Sequence, residues 1–265
     1  MPCVYQTSSV ILSDVEPATR AATAADSDTV FEAKVQMAFA GIALAGMLLV
    51  AAGFFVIAGY MPPPRADWSQ ERIAQFYADN TTAIRLGLLI SFVGWAGWGT
   101  LVIAVSAQLK RADGSPSSLS RLAALGGGVA WTLLLLPTML LVVATFRPER
   151  DPALTQTLHD IGWITAFYTT VPFIVQALAI SAATLANRSP YPRWVGYFCA
   201  WCALTFAPGS LLAFFKSGPF AYQGIFVFWV PFAVFGAYVM VLIWAVWRAA
   251  RAELEPGPHQ TKPCI

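Results

Sequence analysis

The residues best suited to chemistry in this sequence are a neighbouring histidine and aspartate, His159 and Asp160. His159 is the one histidine outside the last 15 residues of the chain. A histidine beside a carboxylate can act as a general acid or base, whereas Asp160 is also well placed to cap the N-terminus of a helix. No recognisable motif links a Ser or Cys nucleophile to this pair. The sequence therefore favours a non-enzymatic protein over a membrane enzyme that uses His159 and Asp160.

The cysteines do not indicate a metal or haem site. Cys199 and Cys202 lie three residues apart, on one face of a predicted helix, while Cys3 and Cys264 lie in the termini. A zinc site needs three or four ligands, and the apolar stretches offer no further Cys or His. We predict no metal and no cofactor. The Lys and Arg residues are scattered along the chain, so nucleic acid is not an expected partner either.

Other polar candidates flank or interrupt the long apolar stretches. Arg85, Arg147 and Lys216 flank apolar stretches on the side where His159 and Asp160 are predicted to lie. Together these five residues could line the mouth of a cavity and bind a polar head group. Gln176 lies inside an apolar stretch. A buried amide needs partners, so it either bonds across helices or faces a ligand.

These residues must be positioned by helices in a bilayer. Hydrophobic residues make up 57% of the chain and charged residues 11%, against about 25% charged in a soluble domain. Six apolar stretches are each long enough to cross a bilayer as a helix. Their predicted limits are 37–60, 84–109, 119–146, 160–186, 193–215 and 222–247. The predicted fold is an all-α, polytopic six-helix transmembrane bundle whose first partner is the lipid bilayer.

The rest of the chain is predicted to be tails and loops. Residues 1–34 and 251–265 are expected to be disordered cytoplasmic tails around a transmembrane domain at 35–250. Lys and Arg near helix ends number eight on the side of the termini and six on the other, which favours cytoplasmic termini. The Arg and Ala content suggests a bacterial protein of the plasma membrane. In the longest loop, Asp67 and Gln70 resemble a capping box that opens an interfacial amphipathic helix over residues 66–80; the alternative is an ordinary polar loop.

Four prolines lie inside predicted membrane helices, at 137, 172, 208 and 231. Proline removes a backbone donor and kinks a helix. The predicted topology places Pro137, Pro172, Pro208 and Pro231 roughly 10–18 Å below the outer edge. Kinks at that depth would open an outward-facing cavity, unless the prolines only adjust helix packing. Pro172 and Pro231 lie in identical Val-Pro-Phe tripeptides, which indicates either a duplicated hairpin (119–186 and 193–247) or a coincidence of composition.

Several strings resemble a family of uncharacterised bacterial six-span integral membrane proteins. They are Ile73–Tyr77 with Asn80-Thr81, Phe146–Arg150, His159–Trp163 and Lys216–Phe220. The resemblance covers most of residues 37–248 and implies this topology and no activity. The span centres lack Asp, Glu, Lys and Arg, which argues against an ion-coupled pump or channel. We predict a protein that binds or passes a small lipophilic molecule; the alternatives are a scaffold for partner proteins and the membrane enzyme considered above.

Overall fold

The structure, a computed structural model, describes residues 9–109, 115 and 117–255, with the backbone alone over 9–26. The described residues form α-helices and shorter helical segments without a strand. The α-helices are α1 (Ser9–Val50), α2 (Gln70–Asp79), α3 (Thr81–Gly94), α4 (Ala96–Gln108), α5 (Ser118–Phe146), α6 (Pro152–Phe167), α7 (Thr170–Leu185), α8 (Arg193–Phe206) and α9 (Val230–Leu254). Three other segments extend them: π-helices at Ala51–Ile57 and Ile225–Trp229 and a 3₁₀-helix at Ala207–Phe214.

The predicted six-helix transmembrane architecture is confirmed. Six helical stretches of the described chain are long and apolar enough to span a bilayer: Ser27–Ile57, Thr81–Gln108, Ser118–Phe146, Pro152–Leu185, Arg193–Phe214 and Ile225–Leu254. Large apolar side chains are exposed around the bundle, among them Leu48, Leu125 and Leu204, which are 63–72% exposed. Such a surface is stable only against lipid. The chain is therefore a multi-pass integral membrane protein.

The fourth span begins eight residues earlier than predicted. Asp151 accepts a hydrogen bond from Ala153 N at 2.8 Å and Pro152 occupies the first turn, a combination typical of a helix start. Hydropathy hides this start because the first two turns of α6 contain Thr155, Gln156 and Thr157. Asp160 consequently lies two turns inside α6, and its predicted role as an N-cap is wrong.

The helix predicted in the longest loop is α2, but its start and its apolar face differ from expectation. Ser69 is the N-cap and accepts from Arg72 N at 3.4 Å. The capping box predicted at Asp67 is wrong, because that carboxylate binds the Arg65 guanidinium at 2.7 and 2.8 Å. The α2 side chains Ile73 and Tyr77 are buried, and the helix packs chiefly against α6. Its apolar face therefore covers one end of the bundle, hereafter the loop end, which also bears residues 147–151 and 215–224.

The N-terminal helix extends into the stretch predicted to be a tail. Residues 1–34 were expected to be disordered, yet α1 begins at Ser9. Residues 9–34 contain no glycine and six alanines, and alanine has the highest helix propensity. At the other end α9 reaches Leu254. The predicted tail segments 1–8 and 256–265 lie outside the described residues.

Glycines allow the first two spans to touch backbone to backbone. Gly46 and Gly53 of the first span face Gly94 and Gly87 of α3, so both glycine pairs are seven residues apart and the helices run antiparallel. A Cβ added at Gly94 would lie 2.6 Å from Gly46 O, and one added at Gly53 would lie 2.9 Å from Ser91 N. Since real Cβ atoms do not approach this closely, only glycine permits the contact.

The four membrane prolines coincide with different backbone features. Pro137 lies inside the uninterrupted helix α5. Pro172 is the third residue of α7, just after the break at Tyr168 and Thr169. Pro208 lies in the first turn of the 3₁₀-helix, and Pro231 is the second residue of α9, directly after a π-helix. Two of the four prolines therefore lie at a change in helix type and a third follows a helix break, as expected when a backbone donor is removed.

Candidate functional site

A partly open cavity of about 180 Å³ lies between the helices of the bundle and is lined by residues of both of its buried apolar clusters. One cluster supplies Val50, Trp95 and Phe206 to the wall, and the other supplies Trp163 and Phe228. With Leu134, Pro137 and Thr138 of the third span, the wall joins residues of all six spans. Because it combines distant segments, the cavity is a property of the folded bundle and of no single helix.

The cavity wall is dominated by aromatic rings. Ten of its nineteen lining residues are Phe or Trp. Pro137 and Pro231 line it, whereas Pro172 and Pro208 do not. Phe173 and Phe232, the last residues of the two Val-Pro-Phe tripeptides, are both part of the wall. Two of the four membrane prolines and the phenylalanine of each Val-Pro-Phe tripeptide therefore lie on one wall.

The few polar groups on the wall fall into two kinds. The hydroxyls of three threonines are hydrogen-bonded. Thr138 donates to Leu134 O at 3.1 Å and Thr169 donates to Ala166 O at 2.6 Å. The Thr170 and Ser210 hydroxyls form a hydrogen bond of 3.3 Å in which either could donate. The indole nitrogens of Trp95 and Trp163 are buried and have no hydrogen-bond partner among the described residues. Each of these nitrogens exposes less than 1 Å² of surface, so the two tryptophans contact the cavity through their carbon atoms.

Next to the cavity, toward the loop end, four side chains form a buried hydrogen-bonded chain, the tyrosine–histidine cluster (Tyr60, Tyr77, His159 and Tyr222). The Tyr77 hydroxyl lies 2.9 Å from His159 Nδ1, and the Tyr222 hydroxyl lies 2.9 Å from His159 Nε2. Tyr60 donates to the Tyr77 hydroxyl over a longer 3.5 Å. All four side chains are at most 4% exposed. Both ring nitrogens of His159 are thus engaged by tyrosines.

The tyrosine–histidine cluster has one more polar hydrogen than it has internal hydrogen bonds. Three phenols and a neutral imidazole carry four polar hydrogens, but three hydrogen bonds link them. With Tyr60 donating to Tyr77 and the chain continuing in that direction, the spare donor is the Tyr222 hydroxyl. Burial raises the pKa of Tyr222, and the charges of Asp160 and Asp67 raise it further. Burial likewise raises the pKa values of Tyr60 and Tyr77, so all three phenols stay neutral.

Trp163 separates the tyrosine–histidine cluster from the cavity. Its ring stacks on Tyr222 at 5.7 Å with 10° between the planes, and its centroid is 6.1 Å from that of His159. The same indole lines the cavity and stacks on Phe167. Trp163 therefore contacts both the hydrogen-bonded tyrosine–histidine cluster and the apolar cavity.

The predicted rim residues do not form one group around the cavity. Arg85 donates to the Thr145 and Phe146 carbonyls at 2.6 and 3.2 Å, at the C-terminus of α5. Arg147 and Lys216 are exposed, and the charge of Lys216 acts on the half-buried Asp160. None of the five predicted rim residues lines the cavity.

Two of the predicted residues are buried and bonded across helices. His159 is fully buried and not at a rim, because α2 covers it and supplies Tyr77. Gln176 is 1% exposed and accepts from the Tyr238 hydroxyl at 3.3 Å. Of the two roles considered for Gln176, the structure places this amide in contact between helices, and it does not line the cavity.

Sequence reasoning missed the partners that define the site: Tyr60, Tyr77, Tyr222 and Trp163. A usable signal was present, because a phenol or indole buried in a membrane protein needs a partner for its polar tip. Three of these residues lie within or near strings that carry the family resemblance: Tyr77, Trp163 and Tyr222. Trp163 lies one helical turn after His159, but Tyr222 and Tyr77 lie 63 and 82 residues from it along the chain, and no local pattern reveals those two contacts.

Two further predictions on the site concern metals and cysteines. The described residues contain no group of three or more His, Cys, Asp or Glu side chains placed to hold a metal ion. Cys199 and Cys202 are buried free thiols within the apolar core. The candidate site is therefore the aromatic cavity with the adjoining tyrosine–histidine cluster. Comparison with known proteins adds no relative: no family model, no curated protein and no solved structure matches the chain.

Proposed function

We propose that this membrane protein binds, or passes across part of the bilayer, a small apolar molecule about the size of one ring. The cavity carries the proposal. An engineered apolar protein cavity of about 150 Å³ binds benzene and stays free of water, and this one measures about 180 Å³. The volume fits a monocyclic molecule or a short acyl segment.

The lining of the cavity supports a role for it. The cavity is partly open, and its wall carries ten Phe or Trp side chains. A molecule that fills the space would gain dispersion contacts with these aromatic rings that the unfilled wall lacks. The second candidate, an enzyme using His159, is disfavoured because both ring nitrogens are hydrogen-bonded to buried tyrosines.

Thermal unfolding of the full-length protein in detergent, with toluene as the probe, tests the proposal. At a toluene concentration 100 times its Kd, binding should stabilise the folded state by about 2.7 kcal/mol and raise Tm by several degrees. Ala166 lines the cavity, so Ala166→Leu should fill part of it and abolish the toluene shift without unfolding the protein. Ala233 is exposed on α9, and Ala233→Leu is the matched control that should keep the shift.

Two results would overturn the proposal. If toluene fails to raise Tm of the wild-type protein at saturating concentration, the cavity does not bind such molecules. If Ala166→Leu and Ala233→Leu respond to toluene equally, any stabilisation comes from the detergent-facing surface. A stoichiometric protein that co-purifies while toluene has no effect would favour the scaffold alternative.

A further inference from the structure

The partly open cavity is closed toward both ends of the bundle. Toward the loop end it is bounded by Trp163, which stacks on the buried tyrosine–histidine cluster. Toward the opposite end, Phe173 and Phe206 line the wall and pack on Trp98 and Tyr238, which are both fully buried. The open side of the cavity therefore lies between spans and faces the bilayer.

The spans pack in a ring that is loosest between the first and the sixth span, in the half of the bundle near the loop end. There the π-helix Ala51–Ile57 packs on α3, and the π-helix Ile225–Trp229 packs on the 3₁₀-helix and on α9. These two π-helices do not pack closely on each other, whereas the other neighbouring spans do. The rings of Phe55 and Phe232 bridge the space, with centroids 4.7 Å apart. Both phenylalanines are half-buried and line the cavity, so one pair of side chains closes the wall at this point.

The surroundings of the Phe55–Phe232 contact are apolar. Residues 51–57 and 225–235 contain no charged residue and no Ser, Thr, Asn or Gln. Val56 and Ile225 are 78% and 52% exposed, and such a surface contacts hydrocarbon in a bilayer. Phe232 lies seven residues after Ile225, where the sixth span begins, which is about 10 Å of helix. A molecule that reaches this contact from outside the bundle therefore comes from the bilayer core and not from water.

We propose that a hydrocarbon chain of a membrane lipid enters the cavity sideways from the bilayer, between the first and sixth spans, past the Phe55–Phe232 ring contact. This inference rests on the proposed function and names the source of the ligand. A cavity of similar volume holds benzene, so roughly six carbons of a chain fit. The chain gains dispersion contacts with the aromatic wall. Because lipid chains surround the opening, they are more concentrated there than any dissolved molecule.

Nuclear Overhauser effects between lipid chains and valine methyl groups test whether a chain occupies the cavity. The full-length protein, deuterated except for its valine methyl groups, is placed in nanodiscs of dioleoylphosphatidylcholine. Val50 lines the cavity and is 6% exposed, so its methyl groups should show effects from chain methylene protons. Val105 is fully buried away from the cavity and should show none, whereas the exposed Val56 should show them in every variant. Ala166→Leu, which fills part of the cavity, should abolish the effect at Val50 and leave that at Val56.

The association rate of toluene with the detergent-solubilised protein tests the route. The rate is obtained from exchange line shapes of the Val50 methyl signals during a toluene titration. Phe55→Ala removes a ring pair that must separate for entry, so the rate should rise about two- to tenfold. Phe232→Ala acts on the same pair from the sixth span and should have the same effect. The matched control is Phe167→Ala: this ring is also half-buried and lines the cavity, but it belongs to the fourth span, so the rate should not change.

The outcomes separate this inference from the proposed function. If toluene binds but Val50 shows no effect from lipid chains, the inference is wrong while the proposed function stands. If chains reach Val50 but neither Phe55→Ala nor Phe232→Ala accelerates toluene association, the chain enters elsewhere and the assigned opening is wrong. If neither toluene nor a lipid chain occupies the cavity, the proposed function fails as well.

Discussion

The hydrogen bond between His159 and Tyr222 should be a measurable part of the stability of the bundle. Nε2 of His159 lies 2.9 Å from the Tyr222 hydroxyl, and both side chains are buried. Tyr222→Phe removes one polar group and leaves Nε2 without its partner, at a cost of about 1–3 kcal/mol. His159→Leu leaves the Tyr222 hydroxyl unpaired in turn. Tyr77 keeps its contact with Tyr60 in that variant, so we expect a similar cost plus about 1 kcal/mol for imperfect packing.

Combining the two substitutions distinguishes a hydrogen bond from simple packing. The double variant His159→Leu with Tyr222→Phe leaves no unpaired group between positions 159 and 222. Its cost should therefore be lower than the sum of the single costs by about 1–2 kcal/mol, within the range found for residues in direct contact. Tyr60→Phe should cost less than about 1 kcal/mol, because its bond to Tyr77 is long, at 3.5 Å.

The free energy of unfolding can be measured by titrating detergent-solubilised protein with SDS and following far-UV circular dichroism. Tyr197 is 59% exposed, and Tyr197→Phe is the matched control, expected to stay within about 0.5 kcal/mol of wild type. The reasoning is refuted if the costs of His159→Leu and Tyr222→Phe add to within about 0.3 kcal/mol. That result would mean that the two side chains do not stabilise each other.

Two further predictions concern helix packing and helix ends, and both use the same unfolding titration. Gly94→Ala should destabilise the protein by about 1–3 kcal/mol, because the new Cβ would lie 2.6 Å from Gly46 O; Gly41→Ala, which meets nothing within 4 Å, should stabilise it by about 0.5–1 kcal/mol, and equal effects would contradict the glycine contact. Arg85→Gln should cost about 1–2 kcal/mol, since it removes donors from two carbonyls at the end of α5 that the helix itself leaves unpaired. Arg147→Gln, at an exposed position, should change stability by less than about 0.5 kcal/mol, and a larger effect than that of Arg85→Gln would argue for the rim site predicted from sequence.

The six spans could be predicted because the signal is local. A bilayer requires about 20 consecutive apolar residues per helix, and each span of this chain contains such a run. Helix starts were less predictable where the first turns are polar, as in α6. Pro172, Pro208 and Pro231 lie beside a break or a change in the helix, whereas Pro137 lies in an uninterrupted helix. Nothing at Pro208 or Pro231 specifies whether the neighbouring helix becomes 3₁₀ or π.

The site was predictable only in part, for a physical reason. His159 could be singled out by its chemistry, but its burial depends on α2, which reaches it from more than 80 residues earlier in the chain. The other members of the tyrosine–histidine cluster are tyrosines. Tertiary contacts decide whether a tyrosine packs as an apolar residue or forms a hydrogen bond. The cavity is a volume left unfilled between residues of all six spans, and no sequence pattern predicts such a volume.

The glycine contact between the first two spans has a consequence for how this protein could move. Gly46 contacts Gly94 and Gly53 contacts Gly87, and the two contacts lie seven residues apart on each helix. Sliding the first span by a single turn would set larger side chains against those backbones. A slide of seven residues, about 10.5 Å, would pair only one glycine of each helix. We expect these two spans to behave as a fixed frame. We therefore expect any motion that admits a molecule to the cavity to occur at the break before α7 and at the π-helix before α9.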